Sequence, residues 1–190
     1  MILPRLARGV FFAFCISKKP SPVGEVYRFA FVTIFNKYLF TEANQSYLYD
    51  YVENGTWTLD KQTELVPLFH RDNGNGKQDA EGDVYGLVSN DYISVDPYWS
   101  SCNVDIIKKN ADGDYEMVFQ SAKLFDVCEK TLKLFYECGD ATYNIKHYGL
   151  DDEQNDIREM FANGYAAMAT VRIMVPKPNL QSFWPVEMNS

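Results

Sequence analysis

The chain has 190 residues, 46% hydrophobic and 23% charged, enough to bury one core without needing a second. Its formal net charge is −8, and residues 44–190 alone carry −12, which excludes nucleic acid as a partner because phosphate binding draws on Lys and Arg. The four cysteines, Cys15, Cys102, Cys128 and Cys138, form no Cys-x-x-Cys pair and have only two histidines to help them, which argues against zinc; no metal or cofactor is expected.

Residues 1–43 read as a signal peptide or N-terminal extension. Arg5 and Arg8 precede an apolar run from Gly9 to Ser17, and Arg28 precedes a second from Phe29 to Phe35. Both are too short to span a bilayer. Thr41-Glu42-Ala43 resembles a signal-peptidase site, so removal after Ala43 is favoured, and the chain is read as secreted; otherwise Phe29 to Phe40 forms an extra helix or strand on the domain. Asn44-Gln45-Ser46 and Asn54-Gly55-Thr56 are glycosylation sequons in a secreted chain, with Asn44 and Asn54 the acceptors.

From residue 44 to 176 the pattern reads as one β domain. Tyr47, Tyr49 and Tyr51 alternate with Leu48, Asp50 and Val52, and Trp57, Leu59 and Lys61 alternate with Thr58, Asp60 and Gln62, which suits pleated strands. A further extended run covers Glu64 to Phe69. His70 to Asp79 is dense in turn formers, but Arg71 stands at the first ligand position of a calcium loop, so the stretch reads as a flexible hairpin connection. Strands follow at Gly82–Val88 and Asp91–Val95, with Pro97 marking the turn after them. Trp99 to Lys109 is the cleanest alternation, with Cys102, Val104 and Ile106 on one face. The Asp112-Gly113 step makes a hairpin into a strand bearing Tyr115, Met117 and Phe119.

Leu124 to Glu137 changes to helical period, with Leu124, Val127, Cys128, Leu132 and Phe135 on one arc. Strands at Thr142–Tyr148 and Gly164–Val175 flank an acidic connection, and residues 177–190 are an irregular tail. The fold class is therefore mainly β, an antiparallel β-sandwich or β-cup with one short helix.

No Gly-x-Ser-x-Gly, His-Glu-x-x-His or phosphate-cradling loop is present, and His70 and His147 fall in a turn and a strand; the chain is read as a non-enzyme. In an oxidising compartment a Cys128–Cys138 bridge would clip the helix to the next strand, worth about 2–4 kcal/mol; pairing of Cys102 with either is a rival. The 13 Tyr, 13 Phe and three Trp fit a solid core or an apolar pocket between splayed sheets equally well.

Several short stretches carry a resemblance in their order: Gly82-Asp83-Val84-Tyr85-Gly86, Phe125-Asp126-Val127-Cys128, Tyr143-Asn144-Ile145-Lys146 and Asn163-Gly164-Tyr165. Over residues 60–175 the chain resembles an insect family of secreted proteins related to the ganglioside activator and the ML lipid-recognition domain, including the chemosensory CheA and CheB proteins. It departs from them in the short Cys128 to Cys138 interval and in its tail.

The resemblance implies a monomeric carrier that holds a lipid or other hydrophobic small molecule in an apolar cavity, with a role in detecting pheromones and a membrane receptor as a further partner. The expected ligand contacts are Val104, Ile106, Met117, Phe119, Leu132, Phe135, Tyr143, Ile145, Phe161, Tyr165 and Val171. The alternative is a non-catalytic extracellular interaction protein with a solid core and an acidic partner-binding surface. A third possibility, a hydrolase, would need a nucleophile within reach of His147.

Overall fold

The computed structural model describes residues 8–10, 31–80, 82–90, 94–118, 121–145 and 152–172. The described strands are β1 (Arg8–Val10), β2 (Phe31–Asn36), β3 (Tyr85–Asn90), β4 (Ile107–Lys109), β5 (Tyr115–Met117), β6 (Thr142–Ile145) and β7 (Ala166–Arg172). The helices are α1 (Lys37–Glu42), α2 (Leu48–Glu53), α3 (Leu59–Leu65), α4 (Asp96–Ser101), α5 (Ala122–Leu132) and α6 (Asp152–Ala162). A 3-10 turn at Val66–Phe69 extends α3, and a π-helical turn at Lys133–Glu137 extends α5.

The fold is not the expected sandwich: helix takes 44% and strand 24% of the described residues. One mixed sheet runs in the order β1-β2-β7-β3-β6, and β4 and β5 form a separate hairpin. β2 pairs antiparallel to β7, with Phe31 opposite Arg172 and Phe35 opposite Met168, whereas β7, β3 and β6 are mutually parallel neighbours.

Parallel neighbours need crossovers, and the chain supplies two. The connection from β3 to β6 carries α4, the hairpin and α5. The connection from β6 back to β7 is α6. They run in opposite directions along the sheet, so a common handedness places them on opposite faces, and the two cores agree. Tyr98, Leu134 and Phe135 join Phe35, Phe40, Leu48, Phe69, Leu87 and Met168 on one side of the sheet. Ile157, Met160 and Phe161 of α6 join Val32, Ile34, Tyr85, Val88, Ala169 and Val171 on the other. A sheet covered on both faces explains why β3 is buried at every position.

Three segments read as strands are helical, and a fourth is helical only at its start. Tyr47 to Val52 became α2 because Leu48 turns fully inward and the Asp50 carboxylate accepts from the Tyr47 amide at 3.1 Å, closing the first turn. Tyr49 and Tyr51 are half-buried against the first core rather than lining a pleat, Tyr49 edge-on to Phe35 at 5.2 Å between ring centres. Trp57 to Gln62 became the start of α3, where the Thr58 hydroxyl accepts from the Lys61 amide at 3.1 Å as an N-cap. Glu64 to Phe69 continues that helix into the 3-10 turn. The alternating stretch from Trp99 to Lys109 divides into the end of α4, a turn and the short β4.

Other expectations held within the described residues. The β4–β5 hairpin forms with Ile107 opposite Met117 and Lys109 opposite Tyr115. α5 begins at its Ser121 cap, whose hydroxyl accepts from the Leu124 amide at 3.1 Å. β6 and β7 lie inside the strands expected at 142–148 and 164–175.

Residues 31–42, expected to be part of a leader or an extra element on the domain, are built into the framework. β2 is an inner strand between β1 and β7, and the Asn36 side chain that ends it caps α1 by accepting from Tyr38 and Leu39 amides at 3.0 and 3.4 Å.

The connection from His70 to Gly82 is closed at its neck. Arg71 and Val84 exchange two backbone hydrogen bonds of 2.9 Å, and the buried Asp83 carboxylate accepts from the amides of Asn73 and Asp79 and from the Tyr85 hydroxyl. Those amide bonds, Asp79 first and Asn73 second, hold the Asp83 carboxyl below its ordinary range.

Candidate functional site

The residues expected to line a cavity scatter. Tyr143, Ile145, Phe161, Tyr165 and Val171 gather in the core beneath α6. Phe135 belongs to the opposite core, where its ring meets Tyr98 edge-on at 5.7 Å. Val104 is buried in the turn after α4, whereas Ile106, Met117 and Leu132 are exposed. Phe119 lies outside the described residues. Among the described residues the sheet is covered on both faces, and these side chains do not gather between two packed sheets.

Cys102, Cys128 and Cys138 are free thiols, so the Cys128–Cys138 bridge is not formed; Cys128 is exposed and Cys138 half-buried beside α3. Burial pushes the Cys102 and Cys138 thiols up, the opposite of what an activated nucleophile needs. Among the described residues no group of three or more His, Cys, Asp or Glu could hold a metal ion. His147 lies outside the described residues, and His70 faces Tyr85 at 5.9 Å between ring centres. No described helix is long and apolar enough to cross a membrane.

Both sequon asparagines are exposed, Asn44 in a left-handed turn after α1 (φ 53°) and Asn54 at the end of α2. An open depression of about 370 Å³ beside the first is lined by Thr41, Asn44, Gln45, Ser46, Tyr47 and Asp50. Several of its polar groups are already engaged, Thr41 with the Tyr47 hydroxyl at 3.0 Å and Asp50 with the Tyr47 amide. It offers no enclosed apolar volume.

What stands out is apolar surface on the β3–β6 connection. Phe125, Leu132 and Tyr136 are 62%, 52% and 57% exposed, although they belong to the same helical segment that buries Val127, Thr131, Leu134 and Phe135. Their spacing of seven and then four residues puts them in one line along the solvent side, with Glu129 between the first two. The hairpin adds a second exposed face, where Ile107, Tyr115 and Met117 share one side of the ribbon with Lys109, whose ammonium lies over the Tyr115 ring at 5.1 Å. Its reverse side carries the Lys108–Glu116 ion pair at 2.9 Å.

The charges around α5 are partly spoken for. Lys130 reaches Asp60 of α3 at 2.8 Å and Asp126 at 3.7 Å, which fastens α5 to α3. Glu129 makes no ion pair among the described residues.

The sequence did hold a signal for this surface. The helical arc read as core-facing mixed Leu132 with Val127 and Phe135, but Phe125, Leu132 and Tyr136 repeat at heptad spacing on a second arc of their own.

Comparison with protein-family models, curated proteins and solved structures gave no match. The resemblance to the ML-related insect proteins therefore rests on the short stretches quoted above, and the β-sandwich it implied is not the fold of this chain.

Proposed function

We propose that the chain is a non-catalytic interaction protein, with a solid two-sided core and a partner-docking surface on the β3–β6 connection. One observation carries the reading. Most of the large apolar side chains expected to line a cavity are consumed in packing, while Phe125, Leu132 and Tyr136 stand exposed in a row on α5 and the π-helical turn that extends it. Exposed apolar side chains in a contiguous arrangement cost solubility and mark sites that a partner covers. The net charge of −8 favours a partner with a basic rim, which would be drawn in over several ångströms before contact.

The carrier and interaction readings part in a single titration. A fluorescent fatty-acid probe added to the full chain, followed by native mass spectrometry, is expected to show no saturable uptake. Saturable one-to-one uptake, displaced by an unlabelled fatty acid, would favour the secreted lipid carrier implied by the resemblance and overturn the present reading.

A further inference from the structure

The exposed line on α5 is more specific than a generic apolar patch. From Phe125 the positions on that line within α5 are Glu129 and Leu132, a 4-3 succession, and Tyr136 follows it in the π-helical turn. That succession is the a/d seam of a coiled coil, which presents a straight ridge only to another helix. The seven steps from Phe125 to Leu132, at 1.5 Å each, give an α-helical ridge of about 10 Å, about two turns long, which Tyr136 extends in the π-helical turn. Ser121 fixes its start and the Asp60–Lys130–Asp126 cluster fixes its rotation on the body, so the ridge is held ready for docking.

We infer that this ridge docks an amphipathic helix of a basic partner, with Phe125, Leu132 and Tyr136 as apolar anchors and Glu129 paired to a Lys or Arg of that helix. The inference rests on the interaction reading above and names its partner class.

Glu129 selects among the possible occupants. It sits in the middle of the seam, it has no ion-pair partner among the described residues, and Lys130 is held away from it by Asp60 and Asp126. A helix carrying a cation opposite it gains a charge pair at the seam, while one carrying an acid meets repulsion. A second copy of this chain would bring another Glu129 to the seam and another net charge of −8. An anionic lipid surface would be repelled by the same charge. The basic helix is the occupant that satisfies both the apolar spacing and the charge.

The test uses the full chain and two labelled synthetic helices of about four heptads. Both have leucine at the seam positions; one carries lysine and the other glutamate at the position facing Glu129. Fluorescence anisotropy is expected to show the lysine helix binding at least about tenfold more tightly than the glutamate helix, as charge pairing at a seam provides. Leu132→Gln should abolish binding of both, and Glu129→Lys should reverse the preference. Equal binding of both helices, or a preference unchanged by Glu129→Lys, overturns the inference.

Failure of the two readings is separable. If neither helix binds but sedimentation or vesicle binding reveals association that Leu132→Gln removes, the helix partner is wrong and the interaction surface stands. If Leu132→Gln changes no association of any kind, both fall.

Discussion

Gly86 shows how one side chain can set the packing of the whole body. A Cβ added there would lie 1.9 Å from the carbonyl oxygen of Val66, so β3 and the 3-10 turn after α3 touch backbone to backbone. Gly86→Ala is therefore expected to destabilise the chain at the upper end of the roughly 1–3 kcal/mol typical of overpacking, or beyond it, because a backbone atom cannot swing aside. Urea denaturation measures this, and a loss under about 0.5 kcal/mol would show that the contact relaxes freely. Asp83 governs the neck of the 70–84 connection in another way. Its carboxyl is held below the ordinary value of 3.8 by the Asp79 and Asn73 amides, so the charged form is favoured in the folded state. The stability it contributes is then fully present above about pH 4 and is lost as pH falls through the lower folded value. Asp83→Asn should lower Tm at neutral pH and flatten the acid limb of the Tm–pH curve; an acid limb identical to the unsubstituted chain would remove Asp83 from this role. The packing role of neither residue was legible in the sequence, since an Asp-rich loop and a strand glycine are common and only the fold brings Val66 or Asn73 beside them.

At the scale of elements, α5 separates what holds the molecule together from what it offers outward. Val127, Thr131, Leu134 and Phe135 anchor the segment, whereas Phe125, Leu132 and Tyr136 contribute little to burial. The triple substitution Phe125→Gln, Leu132→Gln, Tyr136→Gln should change stability by no more than about 0.5 kcal/mol per site, because exposed helical positions respond chiefly to propensity. A cooperative loss well beyond that, in the same urea experiment, would mean that the row is part of the core and not a docking ridge. The helix itself was legible from its 3.6-residue period, and so were the hairpin at Asp112-Gly113 and strands β6 and β7. The helices α2, α3, α4 and α6 were not, α6 occupying what read as an acidic connection. Alternating aromatic and polar residues over six positions suit a pleat as well as a short helix, and such a window is too brief for the two periods to separate. Cues that do separate them were present: Thr58 as an N-cap before Leu59, Gln62 and Leu65, and Asp96-Pro97 at the opening of α4, where proline's missing amide costs nothing.

At the scale of the whole molecule, residues 31–42 are part of the framework on which the sheet is built. β2 pairs with β7 from Phe31 to Phe35, and Phe35, Leu39 and Phe40 are buried in the first core. A chain beginning at residue 44 would expose the edge of β7 and lose those side chains together, at about 1.5–3 kcal/mol for each fully buried one. That sum rivals the total stability of an ordinary domain. Such a chain is expected to show no cooperative thermal transition by circular dichroism; a sharp transition near that of the full chain would make residues 31–43 dispensable. By itself the sequence determined an acidic chain and the positions of helix α5 and of the β4–β5 hairpin, since these follow from composition and local period. Only the tertiary structure decided that the strands form one sheet covered on both faces, that the apolar residues of β6, α6 and β7 pack against one another, and that Phe125, Leu132 and Tyr136 face solvent. Those outcomes depend on which side of the sheet each crossover takes and on which of two helical arcs the body covers, and both are set by contacts between residues far apart in the chain.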